Sequence, residues 1–348
     1  MTQLRFSEAE LFAEHPFARP HVVAGHRLHG GFLADGTYQP PRALVRSPAV
    51  DAWTAALRER GGELLDADAS LLSGPSVPNL EQHRLLLREG LGQTFWNSLT
   101  VIGKIEAKGR LLADVEFPDL QPAVVDDIGE MAIGHLNRGL LKAHGLDEGG
   151  LPAEGIGGHD VMWFVARDLV FGPGAYPDVE PPENIGRPES GQRWVPEVPA
   201  AIEGLISFLM NLLLIEFRAE IGFATTQAVM RTPGLFPGRE TEAAEAAEVI
   251  ERIRTDEAVH VTSLRLYLGE LRSVALRSID GGEVPGAVLI DRLWGSLVHW
   301  ATVEQPMLAA HQQQALIEQR LLAHPDGPRV LAEFNRRSDL ADVQVTAS

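Results

Sequence analysis

The stretch Glu251–Leu268, ERIRTDEAVHVTSLRLYL, decides how the rest of the chain is read. With Ile250 just before it, Ile253, Glu257, His260 and Leu264 recur at alternating spacings of three and four. That rhythm sets them along one stripe of an α-helix. The stripe is apolar at both ends and carries a carboxylate and an imidazole in its middle. A carboxylate taken out of water costs several kcal/mol unless a cation compensates it. At i, i+3 the two side chains sit about 4.5 Å apart along the axis and about 60° apart around it, so one metal ion can bind both.

The preceding segment, GLISFLMNLLLIEFRAEIGFATTQAVM (204–230), holds a second stripe: Leu209, Leu213, Glu216, Glu220, Phe223, Gln227 and Met230. Two more carboxylates therefore lie among strongly apolar neighbours. Together, AEIGFATTQ and the later Asp-Glu-x-x-His resemble the second half of the ferritin-like di-iron carboxylate proteins. The ribonucleotide reductase small subunit and related oxygenases are the nearest in pattern, and the match covers roughly residues 200–275. In that superfamily two helices give one Glu each and the other two give a Glu-x-x-His each. The resemblance implies an all-α, ferritin-like four-helix bundle with helices near 80–112, 121–144, 200–231 and 241–278. It implies Glu220, Glu257 and His260 as metal ligands, Asp256 as the carboxylate that holds a ligand histidine from behind, and Glu216 as a bridging carboxylate or proton donor. It also implies two iron ions or a manganese/iron pair, dioxygen and a small or hydrophobic organic substrate, an electron-donor protein, and a homodimer.

The first half of the site follows less regularly. In NLEQHRLLLREGLGQTFWNSLTVIGKIEAKGRLL (79–112), Glu106 shares a face with Leu99, Ile102 and Gly103, with Gly109 next along it, and is the carboxylate that helix would supply. In AVVDDIGEMAIGHLNRGLLKAHG (123–145) the histidine after Glu130 is His135, at i+5, about 140° away on a regular helix. If both are ligands, a π turn around Ile133 and Gly134 must realign them, with Asp256 against His135. Asp127 is the substitute if Glu130 points away. The reductase role does not carry over, because none of Tyr38, Tyr176 and Tyr267 falls on this helix.

Elsewhere the reading is plainer. Residues 1–78 read as an irregular arm wrapped on a helical domain at 79–338, with His21, His26 and His29 as loop histidines. Residues 145–198 read as a short helix at 159–171, its His159-Asp160 start serving as a cap, then a long Pro/Gly-rich loop. Trp294, His299 and Trp300 read as packing residues on a fifth helix, and 339–348 as a tail. The chain has 348 residues, 45% of them hydrophobic, a formal charge of −18 and no cysteine. That excludes disulfides, thiolate metal sites and cysteine nucleophiles, and argues against nucleic acid or an anionic membrane as partner. No signal-type run opens the chain, and the most apolar stretch, Leu205–Phe217, falls short of a span. A cytoplasmic protein is expected. Two other functions fit the same pattern: iron handling, and a binding or structural role for a bundle with a degenerate metal site.

Overall fold

The computed structural model describes residues 4–17, 19–73, 77–183, 186–187 and 191–338. The chain is mainly α-helical: α1 (Glu8–Leu11), α2 (Ala43–Glu59), α3 (Leu80–Arg88), α4 (Gln93–Gly109), α5 (Leu140–Gly149), α6 (His159–Phe171), α7 (Ala200–Met230), α8 (Glu240–Ser273), α9 (Gly286–His299), α10 (Gln305–Leu322) and α11 (Gly327–Arg336). Three two-stranded antiparallel hairpins join them: β1 (His21–Val23) with β2 (His26–Leu28), β3 (Gly31–Phe32) with β4 (Tyr38–Gln39), and β5 (Ala275–Arg277) with β6 (Glu283–Pro285). The expected tail, 339–348, lies outside the described residues.

The long helices pack in a chain of pairs: α4 on α6, α6 on α8, and α8 on α7. One apolar cluster joins the first half of α7 to the second half of α8, through Leu205, Leu209, Leu213, Leu264, Leu268 and Leu271. A second joins the far half of α7 to the first half of α8, with α4 and α6, through Phe223, Val229, Ala246, Ile250, Leu99 and Trp163. Between the two clusters, at Glu216 on α7 and at Glu257 and His260 on α8, lies a buried polar layer. Hydrophobic burial drives the helices together on both sides of it, so that layer is held in place between them.

Five expectations are corrected. The single helix expected near 80–112 is broken into α3 and α4, with Gly90 at φ +76° between them. The helix expected near 121–144 is absent. Gln121–Ala123 and Ala132–Arg138 are 3₁₀ turns, and α5 starts only at Leu140. The reason is local: Asp127 Oδ1 accepts from Gly129 N at 2.8 Å, and Gln121 Oε1 accepts from Ile128 N at 3.0 Å. These side chains take backbone donors that a helix needs. The helix expected to 278 stops at Ser273 and gives way to the β5–β6 hairpin. The π turn expected around Ile133 and Gly134 is absent, that segment being 3₁₀; a π segment lies instead at Trp300–Glu304, unrelated to the site, between α9 and α10. Finally, α7 has the length and apolarity of a membrane span, contrary to the shorter run read from the sequence. Just over half of its apolar window, 56%, is buried inside the protein, which is how a core helix passes the same test.

The 132–138 segment is secured from α8. Glu270 is fully buried and its Oε2 accepts from Ile133 N at 2.9 Å. Burial pushes its pKa up to about 7, against the lowering effect of the Ile133 and Ala132 amides. An acid whose folded pKa is raised keeps its proton in the folded state between the two values. Stability therefore falls as pH rises from about 4.5 to 7 and levels off above. Glu270→Gln removes this term, so the stability gap between variant and wild type should shift by up to about 3 kcal/mol in the variant's favour from pH 4.5 to 8. Urea unfolding at a series of pH values measures it. Parallel curves for the two proteins would refute the assignment.

Candidate metal centre

Five helices bring their polar side chains into the buried layer. From α5 come His144, Asp147 and Glu148, from α6 His159, from α7 Glu216, and from α8 Asp256, Glu257 and His260, all buried. Glu106 of α4 meets Glu148 carboxyl to carboxyl. The approach of α5 to α4 depends on Gly109: a Cβ there would lie 2.6 Å from Glu148 Cγ. The turn from α5 to α6 depends on Gly150, at φ +62°, where a Cβ would lie 2.4 Å from Gly158 N. Only glycine suits both that left-handed backbone and that contact. This turn is what sets Glu148 and His159 side by side.

The donor atoms form two overlapping sets. His144, Glu148, Glu216 and His260 each present one donor, all within 4.8 Å of one another, and so do Glu148, His159, Glu257 and His260. Glu148 and His260 belong to both. In the first set His144 Nε2 lies 3.0 Å from Glu216 Oε1, and the His144 and His260 rings stack at 3.8 Å. In the second, His159 Nδ1 lies 3.0 Å from Glu257 Oε1, and His260 Nδ1 lies 3.2 Å from Glu148 Oε1. Yet Glu148 Oε1, Glu257 Oε1 and His159 Nδ1 are buried and make no hydrogen bond. They are close enough for ion pairing but wrongly directed for a donated proton. Three converging orphans of this kind are costly as they stand and are what a cation satisfies. These buried groups are positioned to hold a metal ion.

Behind the donors stands a layer of carboxylates. His260 Nε2 meets Asp147 Oδ2 at 3.1 Å, and His159 Nε2 meets Asp256 Oδ2 at 3.2 Å. Each carboxylate fixes its ring so that the other nitrogen faces the layer. Asp147 is gripped by Arg46, at 2.7 Å, and by Arg42. Burial opposes its charge, but the two guanidiniums outweigh it and hold the acid well below the usual carboxylate range. Asp256 also accepts from Tyr38 Oη at 3.0 Å and meets His29 Nε2 at 3.1 Å. Burial, and then the charges of neighbouring carboxylates, pushes Glu106 and Glu216 well up. Burial works against charge on His159 and His260, and the acids around them reverse it.

The sequence expectations divide accordingly. Glu257, His260, Glu216 and Glu106 are brought together, and Asp256 does stand behind a histidine. That histidine is His159, where His135 was expected. His135 is buried elsewhere, receiving Phe6 N at 3.1 Å and facing Met131 O at 2.8 Å. Glu130 is more than half exposed beside Arg5, and so is Asp127. Glu220 lines a cavity of about 220 Å³ that reaches Glu216 and Glu257, but Arg254 takes its carboxylate in a two-pronged pair, one arm at 2.9 Å. His144, Asp147, Glu148 and His159 were missed. The signal was there in AHGLDEG, where His144 and Glu148 stand at i, i+4. His159, read as a cap, makes no cap bond, since the residue before the helix is Gly158. His29 and Tyr38, read as parts of a loop arm, reach the site. Comparisons with protein-family models, with curated proteins and with solved structures return no match.

Proposed function

We propose that this chain is a dinuclear metal–carboxylate oxidoreductase of ferritin-like architecture, with α4, α6, α7 and α8 as the bundle and α5 as an inserted ligand helix. One observation carries the reading: two four-residue donor sets share Glu148 and His260, which is the layout of two adjacent ions with common ligands. Glutamates and imidazoles without thiolate suit iron or manganese. His144 and Glu216 would hold one ion, and His159 and Glu257 the other, with Glu148 and His260 shared between them. When bound, such a pair supplies electrons to dioxygen and creates the oxidant for a small or hydrophobic organic substrate. The chain's own part is to hold the layer between two apolar clusters, to fix His159 and His260 through Asp256 and Asp147, and to offer Glu106, beside Glu148, as a proton carrier. The degenerate-site alternative rested on the Glu130/His135 irregularity, and those residues stand apart from the donor sets.

The test is metal analysis of the purified protein after loading with ferrous iron or manganese anaerobically. Two ions per chain are expected, with dioxygen uptake by the ferrous form. Glu130→Gln and Glu220→Gln should retain both ions within about twofold in affinity, because neither carboxylate faces the donor sets. One ion or none in the wild type, or loss of metal in Glu220→Gln, would sink the proposal.

A further inference from the structure

A cavity of about 570 Å³ separates α4 from α7, with α10 along one side, and Glu106 is part of its wall. Its size is in the range of small-molecule sites, roughly 300–1,000 Å³. The walls are mostly hydrocarbon: Phe95, Ile102 and Ile105 from α4, and Leu214, Ile215 and Ile221 from α7. Gly222 leaves the passage open, since a Cβ there would meet only Ile102 Cδ1, at 4.0 Å. Into this apolar space α7 also presents Arg218 and Thr225, on the same stripe as Leu214 and Ile221. Arg218 Nη1 donates to Gln305 Oε1 at 3.1 Å, and among the described residues no carboxylate lies within ion-pair distance of it. That is notable in a chain with 48 acidic residues and 30 basic ones. Guanidinium does not give up its proton, so a half-buried one with an amide as its partner favours an anionic group over a neutral or cationic one in this cavity. Thr225 Oγ1 is buried without a partner in the same wall.

We propose that this cavity binds a predominantly apolar monocarboxylic acid, its carboxylate on Arg218 and its hydrocarbon along the Ile102–Leu214–Ile221 walls. This rests on the dinuclear reading above, because the cavity reaches that centre through Glu106, and it names the substrate class. A single guanidinium matches a single negative charge, while the chain's overall −18 disfavours polyanions. The walls offer a cationic ligand no acid except Glu106, which is engaged with Glu148.

The experiment uses the full-length protein without added metal, so that it does not depend on the metal centre. Binding of decanoate, decanol and decylamine is measured by titration calorimetry. Decanoate should bind at least about tenfold more tightly than decanol, the worth of one charge-assisted hydrogen bond. Arg218→Gln should erase that preference while leaving decanol unchanged, and Arg218→Lys should restore part of it. Gly222→Leu fills the passage on a helix it does not weaken, and should weaken both ligands at least tenfold. Equal affinity for acid and alcohol, tighter binding of the amine, or no binding at all would overturn the proposal. Because two metals per chain can be present or absent in the same preparation, failure of this inference is separate from failure of the metal assignment.

Discussion

Glu148→Ala is expected to abolish binding of both ions of the proposed pair, whereas Glu216→Ala or Glu257→Ala should each weaken one more than the other. The asymmetry follows from sharing: Glu148 contributes to both donor sets, and the other two contribute to one each. Its side chain is packed against Gly109, with Glu106 on one oxygen and three histidines, His144, His159 and His260, within 3.5 Å. Truncation leaves His260 as the sole residue common to the two donor sets, and takes away the carboxylate they share. Even a residue that only orients a ligand typically contributes 10- to 100-fold in affinity, so a shared ligand should exceed about 100-fold at both positions. Stoichiometry by elemental analysis, together with calorimetric titration of manganese, measures this. Retention of two ions by Glu148→Ala would refute the shared-ligand geometry. So would the loss of only one.

Asp147→Ala should be the most destabilising single change near the site. Asp147 is fully buried between Arg42 and Arg46, whose side chains are themselves 6% and 3% exposed. Removing one partner of a buried charge cluster leaves the others uncompensated, at a cost of about 3–5 kcal/mol. Both guanidiniums would lose their buried anion, Arg42 keeping only the half-exposed Glu14 Oε1 at 3.9 Å and Arg46 only the Pro41 carbonyl at 3.2 Å. His260 would also lose the carboxylate behind it, so metal affinity should fall with stability. Replacing Arg42, Arg46 and Asp147 together by Met, Met and Leu should recover much of the folding free energy without recovering metal affinity. Urea unfolding and metal titration separate the two effects. A loss of stability under 1 kcal/mol in Asp147→Ala would show that the arginines find other anions, contrary to the geometry.

The half of the site that was legible in the sequence lies on long regular helices. On α7 and α8 the three/four spacing converts directly into a shared face, so Glu216, Glu257 and His260 could be read from position alone. Glu220 shows the limit of that method: it stands on the same stripe, but Arg254, three residues before Glu257, captures it. Spacing within one helix says nothing about a cation arriving from the next. The other half is not built on a regular helix. Asp127 and Gln121 take backbone donors, the helix expected around Glu130 does not form, and the ligands come from the short α5 and the first residue of α6. His159 and Glu148 face each other only because Gly150 and Gly158 allow a turn too tight for side chains. His29 and Tyr38 arrive from hairpins whose placement no local pattern encodes.

Those hairpins also set a timetable. His29 reaches Asp256 across 227 residues, and Tyr38 across 218. As the chain leaves the ribosome, His29 and Tyr38 must wait until α8 has been made before they can meet Asp256. Closing loops of this length is entropically unfavourable, and topologies rich in distant contacts fold slowly. His159, which rests on the same Asp256 oxygen, would be among the last side chains at the site to be locked in place. The growing chain would thus carry its acids and histidines through most of synthesis without a finished pocket to collect a passing cation.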